Sequence, residues 1–159
     1  MAKQTTVCCL ILPLLFSVFL VACNEHGSDS GTSPSTDPEI PGGPGEAYIG
    51  FTYIPPIGSF ENLEGEVLHV SPSDYRVAVY IYVNGWWTKP TFSQPLTSIR
   101  SNGNWSTDIT TGGDDEQATR IAAYLLPEGY SPPLLSGGAS LPAELDQNAA
   151  AKVEASRNP

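Results

Sequence analysis

The sequence predicts an all-β fold, a single antiparallel sandwich of roughly a hundred residues, the ordinary size for such a domain. Three observations predict it. Residues 75–83, YRVAVYIYV, alternate strictly between two faces and are rich in β-branched and aromatic side chains, the signature of a strand. Further short apolar segments are punctuated by turns, with 15 Gly and 15 Pro in 159 residues. No long segment carries the 3.6-residue periodicity of an amphipathic helix. The length allows one modest domain plus appendages and excludes a multidomain enzyme.

The folded part is expected over residues 46–159. Residues 65–70, GEVLHV, read as a short strand, and the turn cluster Ser71-Pro72-Ser73-Asp74 is expected to join it to 75–83 as a hairpin. In the long strand Tyr75, Val77, Val79, Ile81 and Val83 share one face, and Ala78, Tyr80 and Tyr82 lie on the other. Residues 83–90, VNGWWTKP, read as a turn leaving that strand. Residues 96–99 and 105–109 flank Asn102-Gly103, which suits the positive φ values of a tight turn, so a second hairpin is expected. Residues 119–126, TRIAAYLL, alternate and are closed by Pro127-Glu128-Gly129, which reads as another strand, with a helix as the alternative. Residues 142–150, PAELDQNAA, suit a short helix, and 151–156 return in period two as an edge strand.

The N-terminal region reads differently. Residues 7–20, VCCLILPLLFSVFL, are uncharged and follow Lys3, but the run is shorter than the roughly 20 residues of a spanning helix and is interrupted by Pro13. A cleaved secretory signal over residues 1–22 fits better. The run ends Leu20-Val21-Ala22-Cys23, which resembles the lipobox of bacterial lipoproteins. The resemblance implies a cut before Cys23, a diacylglyceryl group on its thiol and attachment to the membrane. Two or three acyl chains anchor stably where one does so only marginally. It also implies an outer-membrane address facing periplasm or cell surface, because Asn24 and not Asp follows the acylated cysteine. Cys8 and Cys9 are apolar filler in the discarded segment, so a processed chain has no free thiol and no disulfide. Residues 23–45 hold five Gly, four Pro, four Ser and two Thr, and read as a disordered tether with almost nothing to bury.

The element at 99–105, a strand into Asn102-Gly103 and out through Trp105, resembles hairpins of small bacterial immunoglobulin-like or prealbumin-like accessory domains. Residues 75–130, with GWWTKP, DITTGG and IAAYLLPEGY, are similar in style to domains appended to bacterial glycan-active proteins. These resemblances imply a disulfide-free immunoglobulin-like sandwich, and they carry over no catalytic residue.

Charge and motifs narrow the function. Seven Lys and Arg against seventeen Asp and Glu give a net charge of −10, which repels a phosphate backbone and excludes nucleic acid as a partner. Nothing matches G-x-S-x-G, H-E-x-x-H or a P-loop. His69 reads as a strand histidine, and Glu61, Glu64 and Glu66 as surface charge, so neither a catalytic residue nor a cofactor is expected.

Adjacent tryptophans in an extended backbone point opposite ways, so of Trp86 and Trp87 one is expected to serve the core and the other to be exposed. With Tyr80, Tyr82 and Tyr124 they could form a platform that stacks on the C–H faces of sugars, while Asn84, Gln94, Asp108 or Glu116 bond to hydroxyls. The same rings could equally fill a core that has no disulfides. Trp105 reads as core. Asp108, Asp114, Asp115 and Glu116, in a Gly-containing acidic loop, could ligate a calcium ion, although they lack the spacing of a calcium loop. The expected function is thus a lipid-anchored, non-catalytic envelope lipoprotein that binds a glycan or cell-surface polymer through exposed aromatics. The alternative is a structural lipoprotein whose edge strand at 151–156 pairs with an envelope protein.

Overall fold

A computed structural model describes residues 41–159. The signal segment, Cys23 and all but the last five residues of the tether lie outside the described residues. Among the described residues nine strands form two antiparallel sheets: β1 (Tyr48–Tyr53), β2 (Leu63–Leu68), β3 (Tyr75–Tyr82), β4 (Trp86–Lys89), β5 (Leu96–Thr97), β6 (Asn104–Thr107), β7 (Arg120–Pro127), β8 (Ser136–Gly138) and β9 (Ala151–Ser156). A short helix, α1 (Ala143–Asn148), precedes β9. One sheet runs β1-β2-β6, and the other β8-β4-β3-β7-β9, with β5 also pairing to β3. The two antiparallel sheets make the all-β sandwich that the sequence predicts. Among the described residues no helix is long and apolar enough to cross a membrane.

The alternation in β3 decides where the core lies. Val77, Val79 and Ile81 are fully buried against Ile121, Ala123 and Leu125 of β7 and, across the sandwich, against Ile49, Leu63, Val67 and Trp105. Trp105 is core as expected. Its ring lies so close to Gly65 that a Cβ there would sit 2.3 Å from the indole, and it meets Phe51 edge-on at 6.0 Å. The opposite face of the larger sheet is not left to solvent. Ala78, Tyr80, Ala122, Tyr124 and Leu126 form a second buried cluster, roofed by Leu145 of α1 together with Leu135 and Leu141. Leu145 is the one buried side chain of α1, which explains a helix of only six residues: a single anchor holds it to the sheet.

Two expected hairpins do not form. β2 pairs with β1 and β6, whereas β3 pairs with β4, β5 and β7, so the turn at 71–74 carries the chain from one sheet to the other. Likewise the Asn102-Gly103 turn closes, with the Gly103 amide donating to the Arg100 carbonyl at 2.8 Å and the Arg100 amide to Asn104 at 2.9 Å, but its arms diverge. β5 joins β3 and β6 joins β2, linked to each other only through the Thr97 and Thr107 hydroxyls at 2.9 Å. Turn chemistry reverses a chain without choosing its partner. Residues 69 and 70 also fall outside β2, because His69 adopts φ 61°, a conformation few non-glycine residues accept.

β9 lies at the edge of the larger sheet, hydrogen-bonded only to β7. Lys152 and Glu154 on it are tied to Asp146 and Arg120 at 2.6 and 3.0 Å. Just beyond it Arg157 is 4% exposed and, among the described residues, pairs with no carboxylate side chain. Its guanidinium donates to the carbonyls of Pro55, Pro56, Glu116 and Ala118 at 2.7 to 3.2 Å. Burial lowers its pKa, and the charge of Glu116 partly offsets that. This clip fixes the segment that leads out of the acidic loop into β7.

Candidate functional site

The site grows from β4. Asn84, with φ 53°, and Gly85 turn the chain out of β3, and Trp86 to Lys89 then pair antiparallel with it. The register sets Trp86 and Thr88 opposite Tyr82 and Tyr80, on the roofed face, and Trp87 and Lys89 opposite Ile81 and Val79, on the face turned toward the smaller sheet. That sheet has only three strands. What faces Trp87 and Lys89 is instead the loop after β6, and between them lies a cleft of about 560 Å³, within the usual range of ligand pockets.

Trp87 is exposed (36%) yet held in place. Its indole Nε1 donates to the Val83 carbonyl at 3.1 Å, and its ring rests on Gly137, where a Cβ would lie 3.3 Å from the indole. Phe92, half exposed, lines the same cleft, as do Asn84 and Thr91. Thr88 fixes β4 from behind, accepting the Leu135 amide on its hydroxyl at 2.8 Å.

The cleft wall contains a buried ion pair. Lys89 Nζ donates to Asp115 Oδ2, and both side chains are more than nine-tenths buried. The same carboxylate oxygen accepts the Gly112 amide at 2.8 Å, and Lys89 also donates to the Thr111 hydroxyl at 3.2 Å. Lys89 is therefore neutralised and immobilised where it stands.

Comparison with known protein families, with curated proteins and with solved structures returns no match. The reading of the site rests on its own geometry.

That geometry divides the expected aromatic platform. Tyr80 is fully buried, its hydroxyl donating to the Pro133 carbonyl at 2.9 Å, and Tyr124 packs edge-on against it at 6.1 Å. Trp86 is 3% exposed, edge-on to the half-buried Tyr82 at 5.5 Å and covered by the Arg120 guanidinium at 5.1 Å. Tyr80, Tyr124 and Trp86 are thus structural, because the 130–149 segment roofs their face of the sheet. Burial raises the pKa of both buried phenols, that of Tyr124 to about 12. Of the five predicted aromatics, Trp87 alone lines the cleft.

The acidic loop is also divided. Asp115 is buried against Lys89, and Asp108 accepts the amide and hydroxyl of Thr110 at 2.8 and 3.0 Å. Asp114 is exposed at the cleft, and Glu116 is half-buried outside it. Among the described residues no three His, Cys, Asp or Glu side chains are grouped to hold a metal ion. The four carboxylates that could have ligated calcium do not group among the described residues, where Asp115 is already paired with the lysine. Nevertheless, the Trp turn and the acidic loop, read separately in the sequence, border one cavity. Phe92, Lys89 and Thr111 escaped the sequence reading. The period-two spacing of Trp87 and Lys89 was the available signal for one of them.

Proposed function

We propose that this chain is a lipid-anchored envelope lipoprotein whose sandwich domain binds glycans without chemical turnover, with Trp87 as the stacking surface. The observation that carries the reading is an indole exposed in a ligand-sized cleft while its Nε1 hydrogen bond and its seat on Gly137 prevent it from collapsing. A flat apolar ring held in place loses little freedom when it stacks on the C–H face of a sugar. Asn84 and Thr91 beside it supply hydroxyl partners. The pairing of Lys89 with Asp115 supports a binding role over catalysis, since the lysine and carboxylate nearest the cleft are occupied by each other. The lipobox at residues 20–23 supports the anchor.

The reading is tested by native electrophoresis through gels containing hydroxyethyl cellulose, glycol chitin or xylan. Wild type is expected to be retarded in at least one and Trp87→Ala to migrate freely in all. Free migration of the wild type in every gel would sink it. For the anchor, labelled palmitate should enter the wild type and not Cys23→Ser. A variant that still labels and pellets with membranes would refute it.

A further inference from the structure

We infer that the ligand is an extended polysaccharide segment without anionic groups, lying across Pro90 and filling two grooves at once. This rests on the glycan reading above and specifies its substrate class. Pro90 lines the Trp87 cleft and also a second groove of about 470 Å³ between β5 and β6, on the side of the sandwich where the two sheets part.

The two grooves differ in chemistry. The first offers rings, Trp87 and Phe92, and the second offers Gln94, Ser98, Ser106 and Asp108, an amide, hydroxyls and a carboxylate. An apolar station followed by a polar one suits a polymer that stacks one sugar and hydrogen-bonds the next ones, and a single sugar cannot engage both. Residues 108–115 border both grooves, placing the exposed carboxylates of Asp108 and Asp114 one beside each. Among the described residues Lys89 is the one cation lining either groove, and Asp115 neutralises it. A uronate or sulfated chain would therefore meet two uncompensated negative charges and no positive one, on a protein already strongly acidic.

Calorimetric titration with cello-, xylo- and N-acetylchito-oligosaccharides of one to six units, beside oligogalacturonides, tests the inference. In at least one neutral ladder the affinity should rise by about tenfold or more between two units and six, and oligogalacturonides should not bind. Gln94→Ala should lower affinity for the longest oligomers by about threefold or more and leave the disaccharide unchanged, whereas Trp87→Ala should weaken every length. Length-independent affinity that Trp87→Ala still abolishes would overturn the two-groove inference and leave the glycan reading standing. Oligogalacturonide binding would overturn the charge argument. Failure of all three neutral ladders would overturn the inference, and if the polysaccharide gels also fail, the glycan reading falls with it.

Discussion

Trp86 and Trp87 are adjacent in sequence, lie on opposite faces of the same four-residue strand, and have opposite surroundings. Trp86 sits beneath a roof made by residues 130–149 and a guanidinium, with Tyr80, Tyr82 and Tyr124 around it. Trp87 sits where the larger sheet extends past the smaller one, so its neighbours are a loop and solvent. The residue type is the same in both places. What differs is whether another layer of the protein reaches that far, and this is decided by strand count and by the path of a distant connection. An aromatic pair in a strand is thus one structural ring and one available ring, with tertiary context choosing between them.

The largest effects should come from breaking what holds each face. Asp115→Ala leaves the buried Lys89 ammonium without its carboxylate, and should cost about 3 to 5 kcal/mol of stability in urea unfolding. The double change Lys89→Met with Asp115→Leu should recover most of that loss, because no unpaired charge remains. A single variant as stable as wild type would show that the cleft wall does not depend on the pair. On the roofed side, Trp86→Ala removes a ring that is 3% exposed and should cost about 3 to 5 kcal/mol. Trp87→Ala should change stability by no more than about 1 kcal/mol. Equal losses from the two would erase the contrast between the faces.

A smaller effect follows from the buried phenols. Burial raises the pKa of Tyr80 and Tyr124 above the ordinary value near 10, so at alkaline pH the folded chain retains protons that the unfolded chain has released. Their contribution is constant below pH 10; that of Tyr124 is lost as the pH rises from 10 toward about 12, and that of Tyr80 over a range reaching higher still. Urea midpoints at pH 8, 10 and 11.5 should fall across the last interval, and less steeply in Tyr124→Phe. An unchanged slope in that variant would mean that its phenol is not protected by the roof. The smallest effect is spectroscopic. Trp87 is the only exposed tryptophan, so Trp87→Ala should remove the iodide-quenchable part of the fluorescence and leave that of Trp86 and Trp105.

Much of the fold was legible because its long elements are locally consistent. β3 and β7 alternate over eight residues each, β9 was bounded residue for residue, and α1 followed a proline with a run of good helix formers. Strand pairing was not legible, since Asn102-Gly103 forms its turn whether or not the two arms share a sheet. β4 was hidden for a different reason: four residues between an Asn-Gly turn and a proline are too few to show a period. The site was half legible. The Trp turn and the acidic loop each carried a local signature, but the contact between Lys89 and Asp115 spans 26 residues, and only the packed sheets bring them together. The pairing of Asp115 with that lysine could not be read from the loop alone.

Arg157 carries a consequence for how the domain acquires its site. Its guanidinium joins carbonyls 101 and 102 residues earlier to others about 40 residues earlier, so these contacts form only after the chain has closed a very long loop. The carbonyls it engages at Glu116 and Ala118 border the turn that holds Asp115. Until Arg157 docks, that turn lacks the clip and is held by the Lys89 pair and by the Gly58 amide on the Glu116 carbonyl. A chain in which β1 to β7 have assembled therefore still lacks the support that Arg157 gives behind the cleft wall. The support behind the cleft wall thus comes in part from the residue after β9, far along the sequence from the segment proposed to tether the domain.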